Sequence, residues 1–327
     1  MARVFVTRQL PGAALDRLRA EHETDVWPDR VPPTYDQLLT HTAGAEGLIS
    51  LLTDAIDVRL IAGAPRLRAI SNYAVGTDNI DLAAAAGRGI PVGNTPDVLT
   101  DATADLAFAL LLAAARKLPE AARAVRDGDW LTWEPAAHLG QSVHGATLGI
   151  VGLGRIGRAV AQRARGFEME VLATATGTAP GLPLDALLER SDFVSLHCPL
   201  TVATHHLIDA SALRRMRPTA ILVNTARGPI VDQAALQRAL EDGTIAGAAL
   251  DVTDPEPMAP DHPLLAAPNL LVTPHIGSAT TVARERMAEL AVENLLAGLA
   301  GRPMPHQANA PGAPADAEAA RHTNATR

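Results

Sequence analysis

Residues 147–161 read T-L-G-I-V-G-L-G-R-I-G-R-A-V-A, and the rest of the chain is organised around them. The run 148–151 is apolar, with the length and composition of a buried parallel strand. Gly152, Gly154 and Gly157 follow in G-x-G-x-x-G spacing, and an alanine-rich helical pattern begins at once. Each glycine has a physical use: a tight turn, close approach of backbone to a diphosphate, and tight packing of helix on strand. The helix that opens there points its unpaired N–H groups and the positive end of its dipole at an anion. Glycine turns are common in isolation. Set between a strand and a helix, this one predicts dinucleotide binding.

Working outward, strand candidates recur at 148–151, 170–174, 193–197, 220–224, 247–252 and 270–274, most of them separated by helical segments. Six parallel strands with a glycine loop after the first describe a doubly wound nucleotide-binding sheet. Residues 1–99 show the same alternation, with strands at 4–7, 47–50, 69–72 and 90–93 and helices at 12–21, 35–40 and 81–86. No glycine-rich diphosphate loop occurs there, so this first unit is expected to bind something other than the dinucleotide. Between the two lies a helical pattern over 100–126, interrupted near Pro119 and apolar nearly all round at 106–115. Such a helix is buried either inside one chain or against a second subunit. The loop 127–135 carries Trp130 and Trp133, placed either at an interface or in simple packing. A helix over 280–300 presents Met287, Leu290, Ala291, Leu295 and Leu296 on one face, and its length suits a return to the first domain. The end, from 302 on, reads as a poorly packed tail.

Composition narrows the classes of function. A chain of 327 residues suits two domains, and 47% apolar residues supply ample core. The net charge of −8, with no basic cluster, argues against nucleic acid or anionic membranes as partners. The single cysteine, Cys198, excludes an intrachain disulfide and suits a reducing compartment. The start lacks the apolar core of a signal peptide, and the 106–115 run is far short of the roughly 20 residues a bilayer span needs. A cytoplasmic protein is expected.

In an open parallel sheet, ligands collect beyond the carboxyl ends of the strands. Three segments deliver chemistry there: N-T-A-R-G-P with Arg227, L-D-V-T-D-P-E-P with Glu256, and T-P-H-I-G-S with His275. Arg227 can grip a carboxylate through two parallel hydrogen bonds and polarise a neighbouring carbonyl. His275 as imidazolium can protonate the oxygen while a hydride reaches the carbon. Glu256 beside it would favour the charged ring. Each alone suits a surface or salt-bridge role; together they suit hydride transfer to a 2-keto acid. No metal site is expected, and the adjacent His205 and His206 read as surface residues.

At these residues the chain resembles the D-isomer-specific 2-hydroxyacid dehydrogenases, most closely their glyoxylate/hydroxypyruvate reductase branch. The likeness spans roughly residues 3 to 305. Its motifs are S-N-Y-A-V-G-T-D-N-I-D at 71–81, G-L-G-R-I-G at 152–157, N-T-A-R-G-P-I-V-D at 224–232, L-D-V-T-D-P-E-P at 250–257 and T-P-H-I-G-S-A-T at 273–280. The branch rests further on D-H-P-L-L at 261–265, on N-L-L-A-G-L-A-G-R-P-M-P at 294–305, and on the two tryptophans. The resemblance implies two doubly wound α/β domains, a Rossmann-type cofactor domain at 100–283 inserted in a flavodoxin-like substrate domain at 1–99 plus 284–310, with 311–327 a flexible tail. It implies a homodimer through the cofactor domain. It makes Arg227 the substrate binder, Glu256 the partner and His275 the acid/base, with Leu51, the N–H groups of Val75 and Gly76, and Trp133 also at the substrate. Arg155 and Ile156 would face the diphosphate, Thr103 and Ser278 the nicotinamide end and Asp251 its carboxamide. Cys198 and Pro199 would lie near the adenosine, with Thr204, Thr225, Ala226 and Gly277 completing the cofactor contacts.

The cofactor's ribose end departs from pattern. NAD sites usually end the second strand with an acidic residue, but here it ends V-L-A-T-A-T-G-T, with Ala175 at that place and Thr176 where an NADP-preferring relative would carry Arg. Losing the acid removes repulsion against a 2′-phosphate, and Thr174, Thr176 and Thr178 can donate hydrogen bonds to it. The balance favours NADP(H), with NAD(H) also open. Two rival functions share the scaffold: oxidation of another 2-hydroxy acid or of phosphite, and a non-enzymatic cofactor-sensing corepressor.

Overall fold

The alternation of short apolar runs with helices becomes two parallel sheets in the computed structural model, which describes residues 1–174 and 181–310. The chain divides into two compact units, and the division falls after Leu99 and again between Ser278 and Ala279. The expected changeover at 283/284 lies a few residues later. The expected tail at 311–327 lies outside the described residues, as do Ala175, Thr176 and Thr178.

The first unit contains β1 (Arg3–Val6), α1 (Ala14–Glu21), β2 (Glu23–Val26), α2 (Tyr35–Thr42), β3 (Gly47–Ser50), α3 (Val58–Gly63), β4 (Ala69–Asn72), α4 (Leu82–Gly87) and β5 (Val92–Gly93). The strands are parallel in the order β2-β1-β3-β4-β5, the flavodoxin-like arrangement. β3 and β4 are buried at every residue, as strands covered on both faces should be. Strand β2, E-T-D-V, has no apolar run and escapes a reading by hydrophobicity. It forms because Glu23 N–H reaches the Ala2 carbonyl at 3.0 Å and Trp27 N–H the Val6 carbonyl at 2.9 Å, an edge role that tolerates polar side chains.

The second unit begins with α5 (Thr100–Ala115) and α6 (Leu118–Asp127). The break between them falls at Lys117, which is left-handed at φ 51°, just before Pro119. The unit continues with β6 (Thr147–Val151), α7 (Arg155–Arg165), β7 (Glu170–Ala173), α8 (Leu184–Arg190), β8 (Phe193–Leu196), α9 (Ala210–Arg215), β9 (Ile221–Asn224), α10 (Gln233–Glu241), β10 (Gly247–Leu250) and β11 (Leu270–Val272). The order is β11-β10-β9-β8-β6-β7, so the chain reverses direction across the sheet at β6, where the glycine loop sits. Where a full Rossmann half places its third strand, the described residues show one bridge, between Thr174 and Leu182.

Helix α11 (Thr281–Leu299) belongs to the first unit and starts at Thr280, whose hydroxyl accepts from Ala283 N–H at 3.2 Å. It buries most of its length rather than a single stripe. A side chain at Gly47 would meet Leu295 and Leu299 at 3.2 Å, so the small residue on β3 lets this helix lie close. Beyond it, Ala308 N–H donates to the Val92 carbonyl at 2.7 Å and closes the outer edge of β5.

Candidate active site

The glycine loop has the geometry a dinucleotide needs. Gly152 is at φ +95°, and a side chain there would sit 2.6 Å from the Cys198 nitrogen. One at Gly157 would run into the Gly152 carbonyl. Gly154 is the N-cap of α7 and has nothing within 4 Å of an added Cβ, so the backbone at this position is uncrowded. Arg155 and Ile156 form its first turn. Those features fit a diphosphate held by helix N–H groups. Thr174 turns inward: its hydroxyl accepts from Gly152 N–H at 3.1 Å, which braces the loop.

The three expected catalytic residues leave the carboxyl ends of three neighbouring strands, Arg227 after β9, Glu256 after β10 and His275 after β11. His275 Nδ1 lies 2.5 Å from Glu256 Oε1, with both side chains partly exposed. The contact leaves Nε2 as the ring's other proton-carrying position. Arg227 is tied in from behind. Asn224 Nδ2 donates to the Arg227 carbonyl at 2.9 Å, and the guanidinium Nη1 donates to the Ala226 carbonyl at 2.8 Å. A side chain on Gly228 would collide with the Thr253 carbonyl, so the loop bearing Arg227 lies directly against the loop bearing Glu256. Gln233 Nε2 donates to the Asp254 carbonyl and fastens that loop to α10.

Asp251 has a structural role beyond the cofactor contact expected of it. Its carboxylate is 2% exposed and is surrounded by donors from the His275 loop: Thr273 Oγ1 at 2.6 Å, Ile276 N–H at 2.8 Å and Gly277 N–H at 2.7 Å. The Asp251 carbonyl also accepts from His275 N–H at 2.9 Å. The wrapped loop holds His275 at φ 52°, a left-handed conformation costly for a side chain of that size. Asp251 is thus the anchor that presents the imidazole. Thr103 stands beside it, with its side chain 3.3 Å from where a Cβ on Gly277 would fall. Thr103, Asp251 and Gly277 therefore gather at one place, as a common role at the cofactor would need.

The remaining expected cofactor residues lie near the glycine loop or the strand tips. Burial pushes the Cys198 thiol up to about 11, which makes it a packing group rather than a nucleophile. Pro199 is exposed, and Thr204 Oγ1 donates to its carbonyl at 2.6 Å to close a turn. Ala226 N–H donates to Asn224 Oδ1 at 3.0 Å. Thr225 Oγ1 is buried and has no hydrogen-bond partner among the described residues, as befits a polar atom kept for a ligand. His197 has no expected role. Burial lowers its pKa to about 4, so the ring is neutral, and Ser195 Oγ lies 2.8 Å from Nε2. Among the described residues no group of three or more His, Cys, Asp or Glu is placed to hold a metal, and no helix is long and apolar enough to cross a membrane.

In the first unit, Leu51 follows β3, and Val75 and Gly76 follow β4. Among the described residues, the N–H groups of Val75 and Gly76 have no acceptor, while their carbonyls accept from Asn94 Nδ2 at 2.8 Å and Asn72 Nδ2 at 2.9 Å. In the second unit, Trp130 and Trp133 are 69% and 81% exposed.

Comparison with known proteins agrees with this geometry. Residues 108–277 match the family described as D-isomer specific 2-hydroxyacid dehydrogenase, NAD binding domain. A glyoxylate reductase of Korarchaeum cryptofilum is 50% identical over 317 residues, 94% of this chain and 96% of its own. One from Thermococcus litoralis is 46% identical over 320 residues, with the same coverage, 94% and 96%. A solved protein of Thermus thermophilus, 52% identical, superimposes with a TM-score of 0.88 and covers 93% of this chain and 99% of its own. An NADPH-dependent glyoxylate/hydroxypyruvate reductase from Sinorhizobium meliloti, solved with NADP and malonate, is 34% identical with a TM-score of 0.82, covering 94% and 96%. The match runs through the glycine loop and all three strand tips, over nearly the whole length of each relative: the chain belongs to the D-isomer specific 2-hydroxyacid dehydrogenase family.

Proposed function

We propose that this protein reduces a small 2-keto acid, glyoxylate or hydroxypyruvate, to the D-2-hydroxy acid. The observation that carries the reading is the His275–Glu256 pair at 2.5 Å on neighbouring strand tips. Arg227 grips the substrate carboxylate with its planar fork and draws electron density from the adjacent carbonyl. In the first unit, the N–H groups of Val75 and Gly76 are donors of the kind a carboxylate takes. Glu256 holds Nδ1 and balances the charge of the imidazolium, so that Nε2 delivers the proton to the carbonyl oxygen. The nicotinamide dinucleotide, when bound, supplies the hydride. In the reverse direction His275 takes the hydroxyl proton.

The cofactor preference proposed is NADP(H), with NAD(H) also accepted. It rests on the absence of an acidic residue at 174–176, where a carboxylate would repel a 2′-phosphate. The test is oxidation of NADPH and of NADH, followed by absorbance with a panel of 2-keto acids. Turnover of glyoxylate or hydroxypyruvate is expected, and no turnover of any keto acid with either cofactor refutes the reading.

The partner proposed is a second copy of this chain. Leu118, Val125, Trp130, Leu131, Trp133 and Leu139 are all exposed within one short stretch, and α6 buries no residue. An isolated ten-residue helix with an uncovered apolar face is unstable on its own. Sedimentation should show a dimer, and Leu131→Asp should shift it to monomer; a wild-type monomer at micromolar concentration contradicts the assignment.

A further inference from the structure

The first unit carries a network of neutral amides, two of them within the 71–81 motif, to which the sequence reading assigns no role. Asn72, at the tip of β4, is fully buried. Its Nδ2 donates to the Gly76 carbonyl at 2.9 Å and to Asn79 Oδ1 at 2.9 Å, and its Oδ1 accepts from Ser50 Oγ at 3.0 Å. Asn79 Nδ2 donates to the Leu51 and Asp54 carbonyls, both at 3.0 Å. Asn94 Nδ2 donates to the Val75 carbonyl at 2.8 Å. Behind Leu51 stands Asp54, 3% exposed, whose Oδ2 accepts from Leu51 N–H at 2.7 Å and from Thr7 Oγ1 at 2.5 Å.

A peptide unit points its N–H and C=O in opposite directions. The amide between residues 75 and 76 has its carbonyl held by Asn94, and the next has its carbonyl held by Asn72. Pulling a carbonyl inward turns the N–H of the same peptide plane outward. The Val75 carbonyl shares its plane with Gly76 N–H, which has no protein acceptor among the described residues. Asn94 therefore sets the direction of the Gly76 donor that the functional reading gives to a carboxylate, Asn72 fixes the plane that follows it, and the plane before it is fixed by Thr95 N–H on the Ala74 carbonyl at 2.8 Å. The third, Asn79, binds the Leu51 carbonyl and is itself bound by Asn72, so the loop after β3 and the loop after β4 share one bracket.

We infer that Asn72, Asn79 and Asn94 are positioning residues that preorganise the loop bearing the Gly76 donor for the substrate carboxylate and register it with the Leu51 wall. The inference rests on the proposed keto-acid reduction and deepens it. Neutral amides suit this role because they order carbonyls without adding a negative charge beside an anion site. Preorganisation of this kind acts on capture of the carboxylate and not on the proton transfer, which His275 performs.

The test uses the full-length holoenzyme. Asn94→Ala removes one side-chain hydrogen bond and leaves the Asn94 carbonyl, which accepts from Asn294 Nδ2 at 2.9 Å, in place. It should raise KM for glyoxylate about three- to tenfold, the effect of one neutral hydrogen bond, and act on kcat far less. Oxalate binding to the cofactor-loaded enzyme, measured by calorimetry, should weaken by the same factor. Asn309→Ala serves as the control: that side chain also ties backbone of the first unit, donating to the Ile90 carbonyl at 2.8 Å, but touches neither loop. It should lower Tm and leave KM unchanged. Asn79→Asp extends the test by shifting the ratio of KM values for glyoxylate and hydroxypyruvate; where it fails to fold, Asn94→Ala alone decides. If wild type turns over glyoxylate while Asn94→Ala keeps both its KM and its oxalate affinity, the positioning role is wrong. If wild type turns over no keto acid, the functional reading fails, and this inference with it.

Discussion

Two short loops at strand tips, one in each unit, are held by opposite devices. The loop after β11 wraps a buried carboxylate: Thr273 Oγ1, Ile276 N–H and Gly277 N–H all turn toward Asp251. The loop after β4 is gripped by amide donors: Asn94 and Asn72 draw the Val75 and Gly76 carbonyls inward. The first device consumes backbone donors, so what the loop offers outward is a side chain, His275. The second consumes backbone acceptors, so what the loop offers outward is N–H groups. The choice of anchor decides whether a loop presents a titrating group or a receptor for an anion. A carboxylate behind the β4 loop would have turned its donors the wrong way.

The strongest way to break the comparison is at the presented group. His275→Ala removes the proton carrier and should lower kcat by about 10² to 10⁴-fold with substrate binding largely kept. Equal loss in KM and kcat would mean that the ring binds substrate rather than transfers a proton. Next comes the anchor itself. Asp251→Asn keeps the shape but replaces one acceptor oxygen by a donor facing an N–H, so the loop should lose its left-handed turn at His275. A fall in kcat of about 10- to 100-fold is expected, by displacement alone, with a lowered Tm from the mismatched buried donor. Unchanged kcat in the Asn variant would show that the loop holds its conformation without the charge. The smallest effect is that of Asn94→Ala, confined to KM, and the ranking of the three variants sharpens the contrast between a charged and a neutral anchor.

The parts of the molecule that are legible in the sequence are those in which a residue type has one physical use at its spacing. Three glycines between a strand and a helix, and an Arg, a Glu and a His each just past an apolar run, locate the sheet edge without coordinates. Strand β2 is not legible, because at a sheet edge a polar E-T-D-V segment pairs through its backbone, which no hydropathy pattern records. The anchoring role of Asp251 is hidden for a different reason. Its position at a strand tip is compatible with a cofactor contact, and only the direction of three donors shows that it is occupied from within. The asparagines leave no trace of titration or periodicity, since their effect lies in which end of a peptide plane they hold. Ala175 and Thr176, where the sequence reading expects the ribose end of the cofactor, lie outside the described residues.

The meeting of Gly228 with the Thr253 carbonyl has a consequence for how such a scaffold diversifies. Main chain rests on main chain there, with no side chain between to absorb a change in length. The guanidinium tip and the carboxylate tip consequently travel as one rigid block. An insertion in either loop would part Glu256 from Arg227. New substrate preferences on this architecture must arise from walls outside that block, while the block itself is inherited whole.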